Sequence, residues 1–413
     1  MLKILIVEDD QEKRRIITQT VMAVEGLSIH DFTFASDVVT AKKEIKKNRF
    51  DLVVLDINLP ERADGRPAVG AGLDVLHFIK NSASAKTPAC LVGLTAYDDG
   101  AAAAQHEFLS PLWKLLRFSY QDVSWQQPLK EAVSFLLNLR KPPYVNDGHN
   151  YHTDLGIFAA LDEELESVLK LDGNWATVNV PYDHARYYEG TFQGENGKLN
   201  VVATVAPHMG MPSAAVSASK LIHTFRPRFV AIIGICAGVR GKSEIGDILI
   251  ADPCFDWGSG KWVRDDTSKT LRFRPAPYQW RLDEPLRASA RSVASAPGLL
   301  SRIHQSYGGK RPVNQPRVLI DAMASGASVL QAASLMEDVR DQHKNLVGIE
   351  MESYAVFSAA QHAAEPRPQC ISIKSVCDFG DEDKADDFHE YAAHTSTQFL
   401  YELALNGFAM NDN

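Results

Sequence analysis

Short apolar runs that end in acidic or small polar residues recur along this chain and constrain its fold class. In the first third these runs are "KILIV" (3–7), "DLVVLD" (51–56), "ACLVGLTA" (89–96) and "KLLRFSY" (114–120), with a weaker candidate in "IHDFTFA" (29–35). Continuous apolar runs of this length, alternating with helical stretches, are typical of parallel strands buried on both faces. The pattern predicts a doubly wound α/β sheet with its functional groups at the strand ends.

A second α/β series follows a polar segment, "LRKPPYVNDGHNYHTD" (139–154), which holds a Pro pair and an Asn-Asp-Gly turn signal. A strand is predicted to start at "LGIFAALDEE" (155–164), and further strand candidates are "LNVVATVA" (199–206), "FVAIIGICAG" (229–238), "GDILIAD" (246–252) and "CISIKSVCDF" (370–379). We therefore divide the chain into a first domain over residues 1–138, a linker over 139–153 and a second domain over 154–413.

Charge and cysteine usage exclude several classes of protein. The net charge of −9 leaves no basic surplus to neutralise nucleic-acid phosphates. The five cysteines are scattered without a CxxC pair, which suits a reducing compartment and argues against a structural zinc site. No signal-peptide pattern opens the chain, and no apolar run reaches the ~18 residues of a membrane span. We expect a cytoplasmic protein that binds neither nucleic acid nor membrane.

Acidic residues end the predicted strands of the first domain. Glu8 and Asp9 follow the first strand, Asp56 ends the third, and Thr95 ends the fourth. Because parallel strands end at one sheet edge, these carboxylates would crowd together and repel one another unless a cation binds. Oxygen-rich clusters suit Mg²⁺, and beside it one carboxylate can attack a phosphoryl donor.

The strand ends "VEDD", "LDINLP" and "GLTA" resemble the flavodoxin-like receiver domain of two-component response regulators. The resemblance implies that Asp56 is the phosphoacceptor and Thr95 the switch hydroxyl. It further implies that Mg²⁺ binds to Glu8, Asp9, Asp56 and the backbone carbonyl of Asn58. The phosphoryl source would be a sensor histidine kinase or a phosphotransfer protein.

One residue expected of a receiver domain, the lysine at the end of the fifth strand, is missing from the sequence. Receivers usually end the fifth strand with a lysine, but this region reads "KLLRFSYQDVSW", where Lys114 is too early and Arg117 is a candidate stand-in. A degenerate receiver kept for dimerisation therefore stays an alternative.

Carboxylates also mark the strand ends of the second domain. Glu164 lies in the acidic run of "GIFAALDEELESVL", Glu350 and Glu352 lie in "VGIEMESYAV", and Asp378 ends the strand in "IKSVCDFGD". Acids at several strand ends of one sheet are candidates for one site. Gly-containing turns in 207–222 and 232–247 add backbone N–H groups that can hold an anion or a sugar.

The motifs "AALDEE", "GMPSAA", "GICAG…GD", "EMES" and "VCDFGD", in this order, resemble the purine nucleoside phosphorylase and nucleosidase superfamily over most of residues 153–406. The likeness is greatest to methylthioadenosine/S-adenosylhomocysteine nucleosidases. It implies an α/β nucleoside phosphorylase-like domain with a mixed central sheet and N-glycosidase activity that requires no cofactor. The acidic run replaces the phosphate loop of the phosphorylases, and acids that repel an anion favour water as nucleophile.

The resemblance assigns roles to individual residues. Glu164 would activate water, Glu352 would hold the ribose hydroxyls beside Met351, and Asp378 would protonate or hydrogen-bond N7 of the leaving purine. Further substrate contacts are predicted at Met209, Gly210, Cys236, Ala237, Gly238, Val329 and Cys377. We also expect Arg240 and Lys242 to suit a phosphorylated 5′ position, and Glu350 to have a structural role, paired to an Arg or Lys.

A receiver joined to such a domain resembles the effectors of phosphorelay-type antiphage systems that cleave ATP. We expect a homo-oligomeric, phosphorylation-regulated nucleosidase for adenine nucleotides, with ATP yielding adenine and ribose triphosphate. Two alternatives stay open. One is a methylthioadenosine/adenosylhomocysteine or nucleoside salvage enzyme with a vestigial receiver, and the other is a non-catalytic nucleotide-sensing module.

Overall fold

The computed structural model describes residues 2–96, 104, 107–108, 113–139, 141–194, 197–264, 271–328, 333–380 and 386–408. The chain separates into two compact units, residues 1–141 and 142–413, and each is described by itself.

The first unit is built on a five-stranded parallel sheet with the strand order β2-β1-β3-β4-β5. Its strands are β1 (Ile4–Val7), β2 (Phe32–Ala35), β3 (Leu52–Asp56), β4 (Cys90–Thr95) and β5 (Trp113–Arg117). Its helices are α1 (Gln11–Met22), α2 (Val38–Lys47), α3 (Leu73–Asn81) and α4 (Gln126–Asn138). This order is the flavodoxin-like one, so the predicted doubly wound sheet is confirmed.

Helices cover both faces of this sheet. Along β1, Leu5 and Val7 pack into a core with α2 and α3, whereas Ile4 and Ile6 pack into a second core with α1 and α4. The side chains of β1, β3 and β4 alternate between two buried faces, so these three strands are apolar up to their last residues. Polar chemistry is therefore left to the residues at or just beyond the strand ends.

The second unit contains most of the chain. Its strands are β6 (Thr153–Ala159), β7 (Ala176–Val178), β8 (Tyr187–Gly194), β9 (Gly197–Val205), β10 (Pro227–Gly238), β11 (Ile248–Asp256), β12 (Gly260–Arg264), β13 (Leu271–Pro275), β14 (Gln279–Trp280), β15 (Val318–Ser325), β16 (Leu346–Glu350) and β17 (Gln369–Asp378). Its helices are α5 (Asp162–Leu169), α6 (Met211–Phe225), α7 (Glu284–Ala294), α8 (Leu299–Ser306), α9 (Ala333–Arg340), α10 (Ser353–Gln361) and α11 (His389–Asn406).

Five strands of this unit pair in a closed circuit, β10-β16-β15-β11-β17, because β17 pairs parallel with β10 and antiparallel with β11. Strands β6, β9, β8 and β7 extend the sheet outward from β10. Parallel and antiparallel pairs coexist, so the predicted mixed central sheet is confirmed. Seven of the described strands were not predicted from the sequence: β7, β8, β12, β13, β14, β15 and β16. Of these, β8 and the first half of β15 are only partly buried, so the apolar runs expected of buried strands are weak there.

The polar segment between the predicted domains hydrogen-bonds to the second unit. The Tyr144 N–H donates to the Thr224 carbonyl at 2.9 Å, and the His152 N–H donates to the Arg226 carbonyl at 3.0 Å. Arg226 lies at the end of α6 with a left-handed backbone, and its buried guanidinium donates to Asn146 Oδ1 at 3.0 Å and to the Glu365 carbonyl at 3.1 Å. This one side chain therefore ties the segment to the loop before β17.

Among the helices that the structure describes, none combines the length and the apolar content needed to cross a bilayer.

We predict that Arg226→Met lowers the free energy of unfolding of the second unit by about 2–3 kcal/mol, because it removes the hydrogen bonds that a buried, charged guanidinium donates to Asn146 and Glu365. Urea unfolding followed by circular dichroism measures the change. Arg302→Met, which removes an exposed guanidinium, should stay within about 0.5 kcal/mol of wild type. Equal losses in both variants would contradict the role given to Arg226.

Candidate functional site

The first unit holds an acidic pocket at the strand ends of its sheet. Glu8 follows β1, Asp56 ends β3, and one carboxylate oxygen from each of Glu8, Asp9 and Asp56 lies within 4.8 Å of the others. Burial raises the pKa of Glu8 to about 7, with Lys13 opposing that rise and Asp56 adding to it. Burial likewise raises the pKa of Asp9. The oxygen donors fit a hard divalent cation such as Mg²⁺, which would be held by these three carboxylates.

The loop after β3 shapes the pocket around Asp56. The Asn58 N–H donates to Asp56 Oδ1 at 3.3 Å, and the Asn58 side chain accepts from the Gly70 N–H at 3.0 Å. A Cβ on Gly72 would overlap the Asp56 carbonyl, so the chain passes close behind the acid. Thr95 is buried at the end of β4, in register with Arg117 of β5.

A lysine that the sequence analysis missed lies in this pocket. Lys13 projects from α1, and its Nζ lies 2.8 Å from Glu8 Oε2 and 2.8 Å from Asp56 Oδ2. Its side chain is 6% exposed. A cation therefore contacts the predicted phosphoacceptor from α1, whereas Arg117 at the end of β5 is exposed.

The second unit holds a cleft that encloses about 720 Å³ of space, its open mouth included. Its lining residues come from the ends of strands and the turns after them: Ala160, Leu161, Glu164, Met209, Ile235, Cys236, Ala237, Ser328, Ile349, Glu350, Met351, Glu352, Cys377, Asp378 and His389. Eight of the predicted site residues are among them: Glu164, Met209, Cys236, Ala237, Met351, Glu352, Cys377 and Asp378.

Backbone N–H groups from two strand ends hold Glu164 in place. Its Oε2 accepts from Ala160 at 2.7 Å and from Leu161 at 3.0 Å, and its Oε1 accepts from Ile235 at 2.9 Å. The carboxylate fits against β10 because Gly234 has a φ of 138° and no side chain, whereas a Cβ there would overlap Glu164 Oε1. A buried acid held at three points is positioned before any substrate arrives.

A second lysine that was not predicted from the sequence, Lys374, balances the negative charge of the buried carboxylates in the cleft. Lys374, within β17, is 1% exposed, and its Nζ lies 3.5 Å from Glu164 Oε1. Burial lowers the pKa of Lys374, but the charges of Glu164 and Glu352 outweigh that effect and raise it above its ordinary value. The sequence does carry a signal, since a lysine inside the apolar run "CISIKSVCDF" must be paired if that strand is buried.

Glu352 lies at the start of α10 with its side chain aimed into the cleft. Its Oε1 accepts from the Gly210 N–H at 2.7 Å, so Gly210 acts through the backbone and does not line the cleft. Burial raises the pKa of Glu352 to about 7, and the positive charge of Lys374 opposes that rise. Burial thus makes Glu352 costly to ionise, and a further hydrogen-bond donor beside that of Gly210 would lower this cost.

Asp378 ends β17 and lines the cleft next to the Cys377 thiol. Its Oδ1 accepts from the Gly380 N–H at 2.7 Å, and the Cys377 thiol lies 3.4 Å from its Oδ2. Burial raises the pKa of the Cys236 thiol, which lines the same cleft. His389, at the start of α11, lies close enough to Asp378 and Cys377 to share a ligand with them, and no sequence motif singled it out.

Glu350 differs from its neighbour Glu352. Its Oε2 accepts from the Ser353 N–H at 2.8 Å and the Ser353 hydroxyl at 2.8 Å, and its Oε1 accepts from the Ser325 hydroxyl. These contacts fasten the first turn of α10 to β15. The partners are hydroxyl and amide groups, where the sequence analysis suggested an arginine or a lysine.

The structure does not bring every predicted residue to the cleft. Lys242 lies in the turn after β10 and lines a separate cleft with Arg291 and Asp321, so it is not placed for the substrate. Arg240 stacks over the Phe379 ring at 4.5 Å and is absent from the lining. Gly238 lies behind the lining, where a Cβ would clash with Ser243 and Val376. Val329 lies outside the described residues.

The chain carries a parallel-sheet domain with an acidic pocket and an α/β domain with a carboxylate-lined cleft. The Phosphorylase superfamily profile matches residues 154–405, and the chain belongs to that superfamily. The Response regulator receiver domain profile matches residues 4–108. Both predicted families are confirmed.

Other proteins are similar to all or part of this chain. The uncharacterized protein y4jS of Sinorhizobium fredii is 28% identical over 96% of this chain and 97% of its own length. ATP nucleosidase Cap17 of Escherichia coli is 24% identical over 72% of this chain and 62% of its own length. A 5′-methylthioadenosine/S-adenosylhomocysteine nucleosidase of Marinomonas sp. is 24% identical over 60% of this chain and 97% of its own length.

Among solved structures, the 5′-methylthioadenosine/S-adenosylhomocysteine nucleosidase of Neisseria meningitidis has a TM-score of 0.47 and 19% identity, covering 61% of this chain and 98% of that one. The predicted enzyme class, N-glycosidase, is confirmed by the nucleosidases among the relatives.

We predict that Lys374→Met destabilises the second unit by about 3–5 kcal/mol at pH 8, because it leaves two carboxylates buried without their counter-ion. The loss should be smaller at pH 5, since Glu352, with its raised pKa, takes up a proton there and relieves the repulsion.

Urea unfolding of wild type and variant at both pH values measures this difference. Lys374→Arg keeps the positive charge and should lose less stability at pH 8. A Lys374→Met loss that is the same at pH 5 and pH 8 would contradict the ion-pair role.

Proposed function

We propose that this protein is a phosphorylation-regulated nucleosidase that hydrolyses the N-glycosidic bond of adenine nucleotides, with ATP as the favoured substrate. The observation that carries the proposal is the meeting of Glu164, Glu352 and Asp378 in one cleft with a buried lysine behind them.

The chemistry of the reaction requires such a set of groups. Cleavage of an N-glycosidic bond develops positive charge on the ribose and negative charge on the leaving base. Carboxylates near the sugar and an acid near the base therefore stabilise the transition state more than the ground state. In this cleft Glu352 receives the ribose hydroxyls, and Asp378 protonates or hydrogen-bonds N7 of adenine.

Glu164 is the group proposed to activate water. Its carboxylate is fixed by three backbone N–H groups, and Lys374 lies 3.5 Å away, so a water bound beside Glu164 would be oriented by both residues. A cleft lined by Glu164, Glu350, Glu352 and Asp378 disfavours phosphate as the attacking nucleophile. The arrangement supports hydrolysis over phosphorolysis.

A basic hairpin supports a phosphorylated 5′ group. In the β12–β13 pair Lys261 lies opposite Arg274, and like charges in opposite positions destabilise a hairpin unless an anion joins them. The hairpin follows β11 beside Trp257, whose backbone N–H donates to the Ser325 carbonyl at 3.1 Å. Ser328, three residues further along that loop, lines the cleft. ATP cleavage by the relative Cap17 agrees with this choice of substrate.

Regulation is proposed to enter through the receiver. Asp56 takes a phosphoryl group from a histidine kinase or a phosphotransfer protein, and Thr95 serves as the switch hydroxyl. Glu8, Asp9, Asp56 and the carbonyl of Asn58 would hold Mg²⁺, which would neutralise negative charge at the phosphoryl group. Because hydrolysis of ATP harms the cell, control by phosphorylation suits an antiphage effector. We propose that this effector acts as a homo-oligomer.

The second candidate function is constitutive cleavage of methylthioadenosine or adenosylhomocysteine. The relatives that carry this activity by name, and the apolar residues Met209, Ile349 and Met351 in the cleft lining, favour it. A non-catalytic nucleotide sensor would have no need of the fixed Glu164.

The test is adenine release, measured by chromatography, from ATP, AMP, adenosine and methylthioadenosine, with and without a beryllofluoride mimic of the phosphoryl group. ATP should be the favoured substrate, and Asp378→Asn should lower its kcat at least about 100-fold because an amide cannot donate the proton.

The matched control is Asp387→Asn, which removes a carboxylate that is half exposed and paired with Lys310. It should leave kcat unchanged. Preference for methylthioadenosine would favour the second candidate function, and release of no adenine from any compound would favour a sensor.

We further predict that in Asp56→Asn the rate of adenine release does not respond to phosphoryl donors, because the amide cannot form the acyl phosphate. Asp64→Asn, at an exposed position in the loop after β3, should respond like wild type. Adenine release against acetyl phosphate concentration gives the comparison. Identical curves for wild type and Asp56→Asn would mean that the enzyme is not gated through Asp56.

A further inference from the structure

Lys13 occupies the centre of the receiver pocket. Its ammonium makes two contacts of 2.8 Å, one to Glu8 Oε2 and one to Asp56 Oδ2, and water is nearly excluded from both partners. A buried lysine with two carboxylate partners is held far more firmly than an ion pair on the surface.

Local structure fixes where this ammonium lies. Asp10 caps α1 by accepting from the Glu12 and Lys13 N–H groups, so Lys13 starts its side chain from the first turn of the helix, directly behind β1. The Nζ also lies 5.3 Å from the centre of the Phe118 ring, which closes the pocket on the side of β5. A flexible lysine thus becomes a fixed positive charge.

The oxygen atoms that Lys13 holds belong to the metal cluster. Glu8, Asp9 and Asp56 are the three acids whose oxygens converge within 4.8 Å, and two of the three are bound to the ammonium. Mg²⁺ requires oxygens at about 2.0–2.1 Å in near-octahedral geometry, and an ammonium 2.8 Å from two of these oxygens takes up space around them and repels the metal. Each cation therefore disfavours the binding of the other.

We infer that Lys13 is a built-in competitor of divalent metal in the receiver pocket. It occupies oxygens of Glu8 and Asp56 that the metal would bind, and so sets the metal concentration at which the pocket fills. Since Asp56 is also the proposed phosphoacceptor, the same contact keeps that carboxylate engaged until metal arrives. Lys13 is a positioning residue here, acting through Asp56.

The test is calorimetric titration of MgCl₂ into the full chain, comparing wild type with Lys13→Met and Lys13→Arg. Lys13→Met removes the competing charge and keeps the apolar stem, so its Kd for Mg²⁺ should fall at least about tenfold, or about 1.4 kcal/mol. Lys13→Arg should stay near wild type. Adding Asp9→Asn to Lys13→Met should abolish the gain if the metal binds in this pocket.

The matched control is Arg15→Met, which removes a positive charge from the exposed face of the same helix, where Arg15 pairs with Glu12. It should change the Kd less than about twofold, since surface charges are screened by salt. If Lys13→Met does not fold, Lys13→Gln replaces it in the test. Its melting temperature should then rise more than that of wild type when Mg²⁺ is added.

A purely structural Lys13 gives the opposite result. Its removal would loosen the pocket and leave metal binding unchanged or weaker, and either outcome overturns the inference. If Arg15→Met bound Mg²⁺ as tightly as Lys13→Met, the inference would also be overturned, because the gain would then come from the loss of any positive charge. Because the titration measures metal binding in the receiver, its result does not depend on which nucleotide the second domain cleaves.

Discussion

A buried lysine between carboxylates is the interaction on which the cleft of the second domain depends. Lys374 comes from β17, Glu164 from the first turn of α5, and Glu352 from the start of α10, so three distant parts of the sequence meet at one charge. In a site with little water, the carboxylates could not lie together without that ammonium. The closed strand circuit, which sets β17 beside β10, is what places the lysine there.

The receiver solves the same physical problem in the same way. Lys13 joins Glu8 and Asp56 at the end of a parallel sheet, where the strand order brings acids together. The difference lies in what can replace the lysine. In the receiver we propose that a divalent cation competes for its contacts, whereas Lys374 lies within a strand and is buried in the core. The contacts of Lys13 are therefore suited to replacement by a metal ion, whereas those of Lys374 are suited to a fixed structural role.

Backbone groups complete the cleft. Three N–H groups hold Glu164, one from Gly210 holds Glu352, and one from Gly380 holds Asp378. Such groups cost no side-chain entropy and do not reorganise during a reaction, which is the basis of electrostatic preorganisation. The same principle separates Glu350 from Glu352. The first is saturated by serine and amide donors and fastens a helix, while the second keeps capacity to meet a ligand.

Sequence alone determined the fold class and the acids of both sites, because strand runs and the residues that end them are local features. Asp56, Glu164, Glu352 and Asp378 were found this way. Tertiary structure alone decided which cations join them, since Lys13 and Lys374 have partners set by strand order and register. It also decided that Lys242 lies at a different cleft, although it is only six residues from Cys236. Side chains converge through contacts between distant segments of the chain. Those contacts cannot be predicted from the residue pattern within any one segment.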